Sequence, residues 1–219
     1  INTLDNLVEY DSKYKNIRCQ KGGTAMKLAV GICGESGAML GLKFVSKIWA
    51  RDDLEIFLVI SNGAKKTLLY ENNIDFESLN APNPLLQDLY KSKIKILDDL
   101  NLGECISSGS FGIDAMAIIP CSMNTLAKIA CGISDTLITR SAIVCLKERK
   151  KLLLAPREMP LDSISLNNML NLSKEGVVIA PPIMGYYSSA SSLESMEDFL
   201  IGKWLDILNI KNSIYKRWG

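Results

Sequence analysis

The sequence of 219 residues contains no histidine. Histidine is the base of Ser-His-Asp and Cys-His nucleophilic sites and a common zinc ligand, so its absence excludes those sites and a histidine general base. Acid–base chemistry must then come from Asp, Glu, Lys, Tyr or a bound phosphate.

The chain also lacks an excess of charge of either sign, since 25 Lys and Arg residues face 24 Asp and Glu residues. No broad field is available to attract nucleic acid or an anionic membrane, so any anion must be held by local geometry. No apolar run approaches the roughly 20 residues that a membrane span needs. We therefore expect neither a nucleic-acid partner nor a membrane span.

The six cysteines form no C-x-x-C pair and show no metal-type spacing. Several lie in apolar runs, where a free cysteine behaves as a small hydrophobe, as expected in a reducing compartment. This pattern predicts a cytoplasmic protein with no disulfide scaffold and no metal site.

Residues 1–25 are polar and aperiodic, lack the apolar core of a signal peptide, and precede Met26, which opens an apolar strand. We interpret them as a leader or an added extension that is not part of the fold. The remaining residues, 26–219, are expected to form a single domain, because their number suits one core.

From Met26 onward, short apolar runs rich in β-formers alternate with longer helical patterns, which predicts a parallel sheet covered by helices. The fold class is α/β, a Rossmann-like (flavodoxin-like) three-layer sandwich with a mostly parallel sheet. The predicted strands are Lys27–Ile32, Glu55–Ile60, Ile94–Leu97, Ala115–Ile119, Lys151–Ala155 and Val177–Ala180. The predicted helices are Gly37–Ala50, Ala64–Glu71, Ser122–Gly132, Asp135–Lys150, Ser165–Glu175 and Ser192–Leu208. Asp75–Lys93 is expected to be a loop, because Asn and Pro residues interrupt it.

The segment Gly34-Glu35-Ser36-Gly37 stands between the first strand and its helix. Glycines allow close approach of the backbone to a ligand, and a helix N-terminus offers free N–H groups, which together suit a phosphate. A tight turn needs glycine for steric reasons alone, and the segment is neither G-x-G-x-x-G nor a P-loop. Phosphate binding and a purely steric turn both remain open from these residues.

Three other loops are expected at the same edge of the sheet or lead into it. Ser122 is predicted to cap the fourth strand's helix, with Thr125 in the first turn, and ordinary capping is favoured over phosphate binding. The loop of residues 107–112 forms either an anion-binding nest or a flexible turn. Arg157 and Glu158 follow a buried strand, where an arginine can clamp a phosphate in bidentate fashion.

The loop of residues 181–187, Pro-Pro-Ile-Met-Gly-Tyr-Tyr, follows the last strand. Its paired prolines stiffen the loop and aim two aromatic residues, either for packing or for contact with a flavin or substrate.

Taken in order, these loops resemble the UbiX-type flavin prenyltransferase family, part of a wider flavoprotein group that includes cysteine decarboxylases. The likeness covers nearly everything from Met26 to Gly219. Its most specific portions are GESGAMLGLKF, PCSMNTLAKIACGISDTLITRSAIVCLKERKKLLLAPREMPL and GVVIAPPIMGYY.

By position, the resemblance implies a flavin mononucleotide (FMN) site, a prenyl-phosphate site and four catalytic residues. The FMN site comprises Gly34, Glu35, Ser36, Ser61, Ser122, Met123, Asn124, Thr125 and Arg157. The prenyl-phosphate site comprises Ser108, Gly109, Arg140, Lys147, Glu158, Tyr187 and Lys203. The implied catalytic residues are Ser36, Glu71, Lys147 and Glu158. The chain departs from the family at Glu35, usually alanine, at Ser188, often histidine, and at Lys203, where arginine is common.

The implied reaction transfers a dimethylallyl group from dimethylallyl phosphate to N5 and C6 of reduced FMN, without a metal. The implied partners are a UbiD-type decarboxylase that receives the prenylated FMN, in quinone synthesis or aromatic-acid decarboxylation, and further copies of the chain in a homo-oligomer such as a dodecamer. The alternatives are a flavin-dependent decarboxylase of the wider group, which uses a histidine that this chain lacks, and a non-catalytic FMN carrier. An NAD-dependent oxidoreductase is disfavoured, because no G-x-G-x-x-G opens the first helix.

Overall fold

The computed structural model describes residues 25–76 and 83–217. The segment interpreted as a leader or extension therefore lies outside the described residues, apart from Ala25.

Six parallel strands form one sheet in the order β3-β2-β1-β4-β5-β6. They are β1 (Met26–Ile32), β2 (Leu54–Ile60), β3 (Lys95–Leu97), β4 (Ala115–Cys121), β5 (Lys151–Pro156) and β6 (Val178–Ile179). The central strands are continuous apolar runs because helices cover both of their faces, and every residue of β4 is buried.

Seven described helices cover the sheet and form its two outer layers. They are α1 (Ala38–Ser46), α2 (Asn62–Asn72), α3 (Pro84–Lys91), α4 (Met123–Ala130), α5 (Leu137–Lys147), α6 (Ser163–Lys174) and α7 (Leu193–Ile207). Helices α1, α2, α3 and α7 contribute to one core cluster. Helices α4, α5 and α6 contribute to the cluster on the opposite face. The predicted three-layer α/β sandwich is confirmed, and each predicted strand and helix is present with its ends shifted by a few residues.

The expectation of a loop throughout Asp75–Lys93 is wrong for its second half, which contains α3. Asn83 caps this helix, since its Oδ1 accepts from the backbone N–H groups of Leu85 and Leu86 at 3.0 and 3.4 Å. Pro84 occupies the first turn, where its missing N–H costs nothing. The Asn-Pro pair that suggested an interruption is a helix start.

Helix α7 docks on the sheet through Ile201, Trp204 and Leu205, which are buried in the core cluster that it shares with α1, α2 and α3. The indole N–H of Trp204 donates to the carbonyl of Ala180, just after β6, at 2.9 Å. Leu193, the first residue of α7, is by contrast 75% exposed.

The chain reverses its direction of progress across the sheet between β1 and β4. From β1 it proceeds outward to β2 and β3, whereas β4 lies on the other side of β1 and leads to β5 and β6. Loops that leave the carboxyl ends of β1 and β4 therefore diverge and leave a crevice between them, which is where open α/β sheets bind ligands. We call this space the central crevice.

Candidate functional site

The loop after β1 approaches the start of α2 closely. A Cβ atom at Gly34 would lie 2.5 Å from the carbonyl carbon of Gly63, so only glycine fits without a shift of backbone. Gly37 caps α1 with a φ of +83° and without a side-chain cap. Both glycines shape the loop that leaves the carboxyl end of β1.

A carboxylate already sits at the N-terminus of α1. The backbone N–H of Gly37 donates to Oε2 of Glu71, at the end of α2, at 2.9 Å. An anion is favourable at this end of a helix because it faces the positive end of the helix dipole. Glu71 thus lies beside the loop that contains Ser36, another of the implied catalytic residues.

Ser61 joins the loop after β2 to the same crevice. Its backbone N–H donates to the carbonyl of Ile32 at 3.0 Å, which extends the β1–β2 pairing to the end of both strands. Its Oγ accepts from the N–H of Ala64 at 3.1 Å and so caps α2. A second helix N-terminus therefore faces the crevice.

Ser122 caps α4, as predicted. Its Oγ accepts from the N–H of Thr125 at 3.1 Å and donates to the Thr125 hydroxyl at 2.9 Å. These bonds satisfy one N–H of the first turn, and the N–H groups of Met123 and Asn124 have no partner within the helix. Capping and anion binding are therefore compatible at this helix end.

Cys33 links the β1 loop to α4 from below the crevice. Its Sγ donates to the Thr125 hydroxyl at 3.3 Å, and its backbone N–H donates to the carbonyl of Pro120 at 3.1 Å. Burial raises the pKa of the Cys33 thiol to about 11, so it remains protonated and acts as a donor. The thiol is structural, because the thiolate is the nucleophilic form.

Arg157 reaches the crevice from the carboxyl end of β5. Its Nη2 lies 3.4 Å from Oε2 of Glu35, while its buried Nε has no hydrogen-bond partner within the described residues. A buried donor on a charged group without a partner is costly, which indicates a place for an acceptor of a bound anion. A phosphate group fits this unsatisfied guanidinium.

Glu158, next to Arg157, is exposed, and its Oε1 accepts from the N–H of Met159 at 3.0 Å. The acid predicted to serve the prenyl phosphate therefore stands at the same sheet edge as the predicted FMN residues.

Tyr187 and Lys203 line one cavity of about 650 Å³, which we call the tyrosine cavity. The Tyr187 ring packs edge-on against Phe199 of α7, with 5.4 Å between the centroids. The structure thus brings together two of the predicted substrate residues from segments 16 positions apart in the sequence.

Four other predicted residues, Ser108, Gly109, Arg140 and Lys147, lie on and around α5, and we call them the α5 cluster. Arg140 Nε donates to the carbonyl of Ser107 at 3.2 Å, and Lys147 Nζ lies 3.0 Å from Oε1 of Glu148. A Cβ at Gly109 would lie 2.3 Å from that same Oε1 atom, so the loop of residues 107–112 rests on the end of α5.

One chain does not bring all the predicted substrate residues into one pocket. Lys147 ends α5, just before β5 begins, whereas Glu158 follows the other end of β5. The six residues of β5 separate the two by roughly 20 Å along the strand. Lys147 therefore lies near the amino ends of the parallel strands, whereas Glu158 lies near their carboxyl ends.

Sequence reasoning missed other residues near these sites. Gly63 makes the close approach to Gly34, and Tyr215, Lys216 and Arg217 line the tyrosine cavity. The run Tyr-Lys-Arg near the chain end was the only local signal for these cavity residues. Its packing against α7 is a tertiary contact, which the local sequence does not indicate.

Among residues 25–76 and 83–217, no group of acidic residues and cysteines is arranged to hold a metal ion. No helix in these ranges is long and apolar enough to cross a bilayer.

Comparisons with known proteins match the whole described chain. The model of the Flavoprotein family matches residues 18–217. Flavin prenyltransferase UbiX of Campylobacter jejuni is 45% identical over 193 residues, which cover 88% of this chain and 98% of the relative. Flavin prenyltransferase UbiX of Helicobacter pylori is 46% identical over 194 residues, which cover 89% and 99%.

Solved structures agree with these relatives. A dodecameric FMN-dependent UbiX-like decarboxylase from Escherichia coli O157:H7 superimposes with a TM-score of 0.78 at 36% identity, covering 89% of this chain and 100% of its own. AnUbiX (PadA1), in complex with FMN and dimethylallyl pyrophosphate, gives a TM-score of 0.77 at 35% identity, covering 89% and 98%.

Proposed function

The chain belongs to the Flavoprotein family and, within it, to the UbiX-type flavin prenyltransferases, and from this membership we propose that it transfers a dimethylallyl group from dimethylallyl phosphate to N5 and C6 of reduced FMN. The observation that carries the assignment of the site is the buried Nε of Arg157 beside the loops that follow β1 and β4, which has no hydrogen-bond partner in the part of the chain that the structure describes. A solved relative, AnUbiX, holds FMN and a dimethylallyl donor together.

FMN binds in the central crevice in this proposal. The residues that surround it are Gly34, Glu35, Ser36, Ser61, Ser122, Met123, Asn124, Thr125 and Arg157. The glycine approach at Gly34 gives a ligand access to backbone, and the capped starts of α2 and α4 offer N–H groups to its phosphate. Reduced FMN, when bound, supplies the nucleophilic N5 and C6 atoms.

Glu71 and Ser36 handle the proton at N5. The Gly37 N–H holds the Glu71 carboxyl group beside the Ser36 loop. A carboxyl group in this place can accept a proton, directly or through the Ser36 hydroxyl.

The remaining residues serve the departing phosphate. The allylic C–O bond breaks with its electron pair moving to the phosphate, so the chain must stabilise the added negative charge. Lys147, Arg140, Lys203 and Tyr187 donate to the phosphate, with Ser108 and Gly109 beside them. Glu158 is the general acid that donates a proton to the departing phosphate.

We propose that these residues meet across copies of the chain in a homo-oligomer, with a dodecamer as its form. The separation of Lys147 from Glu158 by the length of β5 supports a shared site, because the two cannot reach one phosphate within a chain. The related E. coli protein is dodecameric.

The proposal also includes the protein that uses the product. A UbiD-type decarboxylase takes up the prenylated FMN. We propose a cytoplasmic location, supported by Cys33, Cys121, Cys131 and Cys145, none of which forms a disulfide with another described residue. Residues 26–219 form the single FMN-binding domain, supported by one continuous sheet.

The test mixes the purified protein with reduced FMN and dimethylallyl phosphate under anaerobic conditions and determines the flavin mass. The expected result is a new flavin heavier by one five-carbon prenyl unit. FMN that binds and is recovered unchanged would indicate a carrier, and carbon dioxide released from an added carboxylic acid would indicate a decarboxylase. Either result overturns the proposal.

A further inference from the structure

The tyrosine cavity has a wall that comes from the end of the described chain. Residues 212–217, which we call the C-terminal strap, fold back along α7, and Tyr215, Lys216 and Arg217 line the cavity together with Tyr187 and Lys203. The strap therefore borders the space assigned to the prenyl phosphate under the proposed function.

One carboxylate on α7 fastens the strap. Oδ2 of Asp206 accepts from the Tyr215 hydroxyl at 2.6 Å and from Arg217 Nη1 at 3.0 Å. Its Oδ1 accepts from Arg217 Nη2 at 2.7 Å and from Asn212 Nδ2 at 2.9 Å. The fork between Arg217 and Asp206 is bidentate, so it fixes direction as well as distance.

Packing shows that α7 accommodates the strap in this position. A Cβ at Gly202 would lie 2.1 Å from Cδ1 of Tyr215, so the tyrosine ring occupies the space that a side chain at position 202 would fill. The Tyr215 ring also packs edge-on against Phe199, with 5.4 Å between centroids. Phe199 contacts Tyr187 in the same way, so a row of three rings joins the strap to the loop that carries Tyr187.

The charges in the cavity are not equivalent. Asp206 neutralises Arg217, whereas Lys203 and Lys216 form no ion pair with any residue that the structure describes. A lysine is a point charge without a fork, so one lysine alone grips a phosphate weakly. Two unpaired ammonium groups and a tyrosine hydroxyl in one cavity suit a phosphate much better.

We propose that Lys216 is a further phosphate-binding residue of the prenyl-phosphate site and that Asp206 is the positioning residue that holds the strap so that Lys216 faces the cavity with Lys203. The inference rests on the proposed function and adds two residues to it. Arg217 acts as the fastening between Asp206 and the strap and does not contact the substrate.

The test measures the KM for dimethylallyl phosphate, the kcat and the FMN dissociation constant of four variants. Lys216→Gln removes one charge-assisted contact and is expected to raise the KM about tenfold with FMN affinity unchanged. Lys211→Gln is the matched control, because Lys211 is exposed immediately before the strap but does not line the cavity, and the KM of this variant should equal that of the wild type.

Asp206→Asn keeps the size of the side chain but loses the charge that orients Arg217. Its KM should rise while kcat at saturating donor and FMN affinity are retained. The double variant Asp206→Asn/Lys216→Gln should be no worse than Lys216→Gln alone, because Asp206 acts through Lys216. A merely structural role for Asp206 would instead give additive effects.

A wild-type KM in Lys216→Gln overturns the inference, as do additive effects in the double variant. In both cases the wild-type protein still makes the prenylated flavin, so the proposed function stands. If the wild-type protein makes no such product, the proposed function fails and this inference fails with it.

Discussion

Nη2 of Arg157 lies 3.4 Å from Oε2 of Glu35, so the end of β5 is joined to the β1 loop across the central crevice. The side chain of Arg157 is 39% exposed and that of Glu35 is 19% exposed. An ion pair with this distance and this access to water stabilises the fold by less than about 1 kcal/mol. The pair leaves Nε of Arg157 without a hydrogen-bond partner among the described residues. The carboxylate therefore does not saturate the guanidinium.

Replacing Glu35 should improve FMN binding. The carboxylate competes with the FMN phosphate for Arg157 and repels it, so Glu35→Ala should tighten the FMN dissociation constant by about threefold to tenfold. Flavin fluorescence titration at low salt measures the change. Glu35→Gln, which keeps the size and removes the charge, should behave similarly, and Arg157→Gln should weaken binding about tenfold or more. If Glu35→Ala weakens binding as much as Arg157→Gln, the carboxylate orients Arg157 and does not compete.

Alanine at two facing glycines should have unequal effects. A Cβ at Gly34 would meet Gly63 backbone atoms at 2.5 and 2.6 Å, whereas a Cβ at Gly63 has its nearest contact at 3.2 Å. These backbone atoms of Gly63 cannot relieve the clash by changing a side-chain rotamer. Gly34→Ala should therefore lower the free energy of unfolding by about 1–3 kcal/mol and impair FMN binding. Gly63→Ala lies in the first turn of α2, where the helix preference of alanine offsets the smaller contact.

Urea denaturation and FMN titration of both glycine variants check this difference. Equal losses in the two variants would show that the close approach of the β1 loop to α2 does not govern the crevice.

Asp99 gives the fold a specific pH dependence. Burial raises the pKa of its carboxyl, against the opposing effect of the Ile138 N–H, which donates to Oδ1 at 2.9 Å. With the pKa higher in the folded state, the native protein binds more protons, so this group's contribution to stability falls as pH rises from roughly 4 through the raised pKa. Asp99→Asn should abolish that slope and, near neutral pH, match or exceed the wild type in stability, because an amide oxygen still accepts from Ile138.

Urea denaturation from acid to neutral pH measures the slope. Asp99→Ala is the control, since it also removes the titrating group but lacks the acceptor at the start of α5, and it should be about 1 kcal/mol less stable than Asp99→Asn at every pH. A slope that persists in Asp99→Asn would assign the pH dependence to other groups.

The sheet and most helices were predictable from sequence because their signals are local. Continuous apolar runs such as β4 mark strands buried on both faces, and Ser122 marks a helix start by its own side chain. Helix α3 was missed because Asn-Pro indicates a turn and a capped helix equally well. Only the helical residues that follow resolve this ambiguity.

The site was predictable in its residue types but not in its assembly. Position along the chain brought Arg157 and the β1 loop to one edge, because every strand is parallel. The strap on α7 depends on Asp206 and Gly202 meeting Tyr215, and nothing in the local sequence specifies that contact. The distance from Lys147 to Glu158 likewise follows from topology and not from residue type.

The distance between Lys147 and Glu158 leads to a test in which two variants, each inactive alone, are combined in one oligomer. Lys147→Gln and Tyr187→Phe each remove a proposed contact to the prenyl phosphate, one from the end of α5 and one from the tyrosine cavity, so each variant alone should lose most activity. If different copies supply the two residues to one site, oligomers of the two variants mixed in equal amounts contain some sites in which both residues are wild type. Random mixing gives about one quarter of sites intact.

Co-expression with two affinity tags, tandem purification and the flavin mass assay measure the recovered activity. Lys147→Gln mixed with Lys147→Gln under a second tag is the control and should stay inactive. Recovery no greater than in this control would mean that both residues act within one copy, and the proposed shared site would then be wrong.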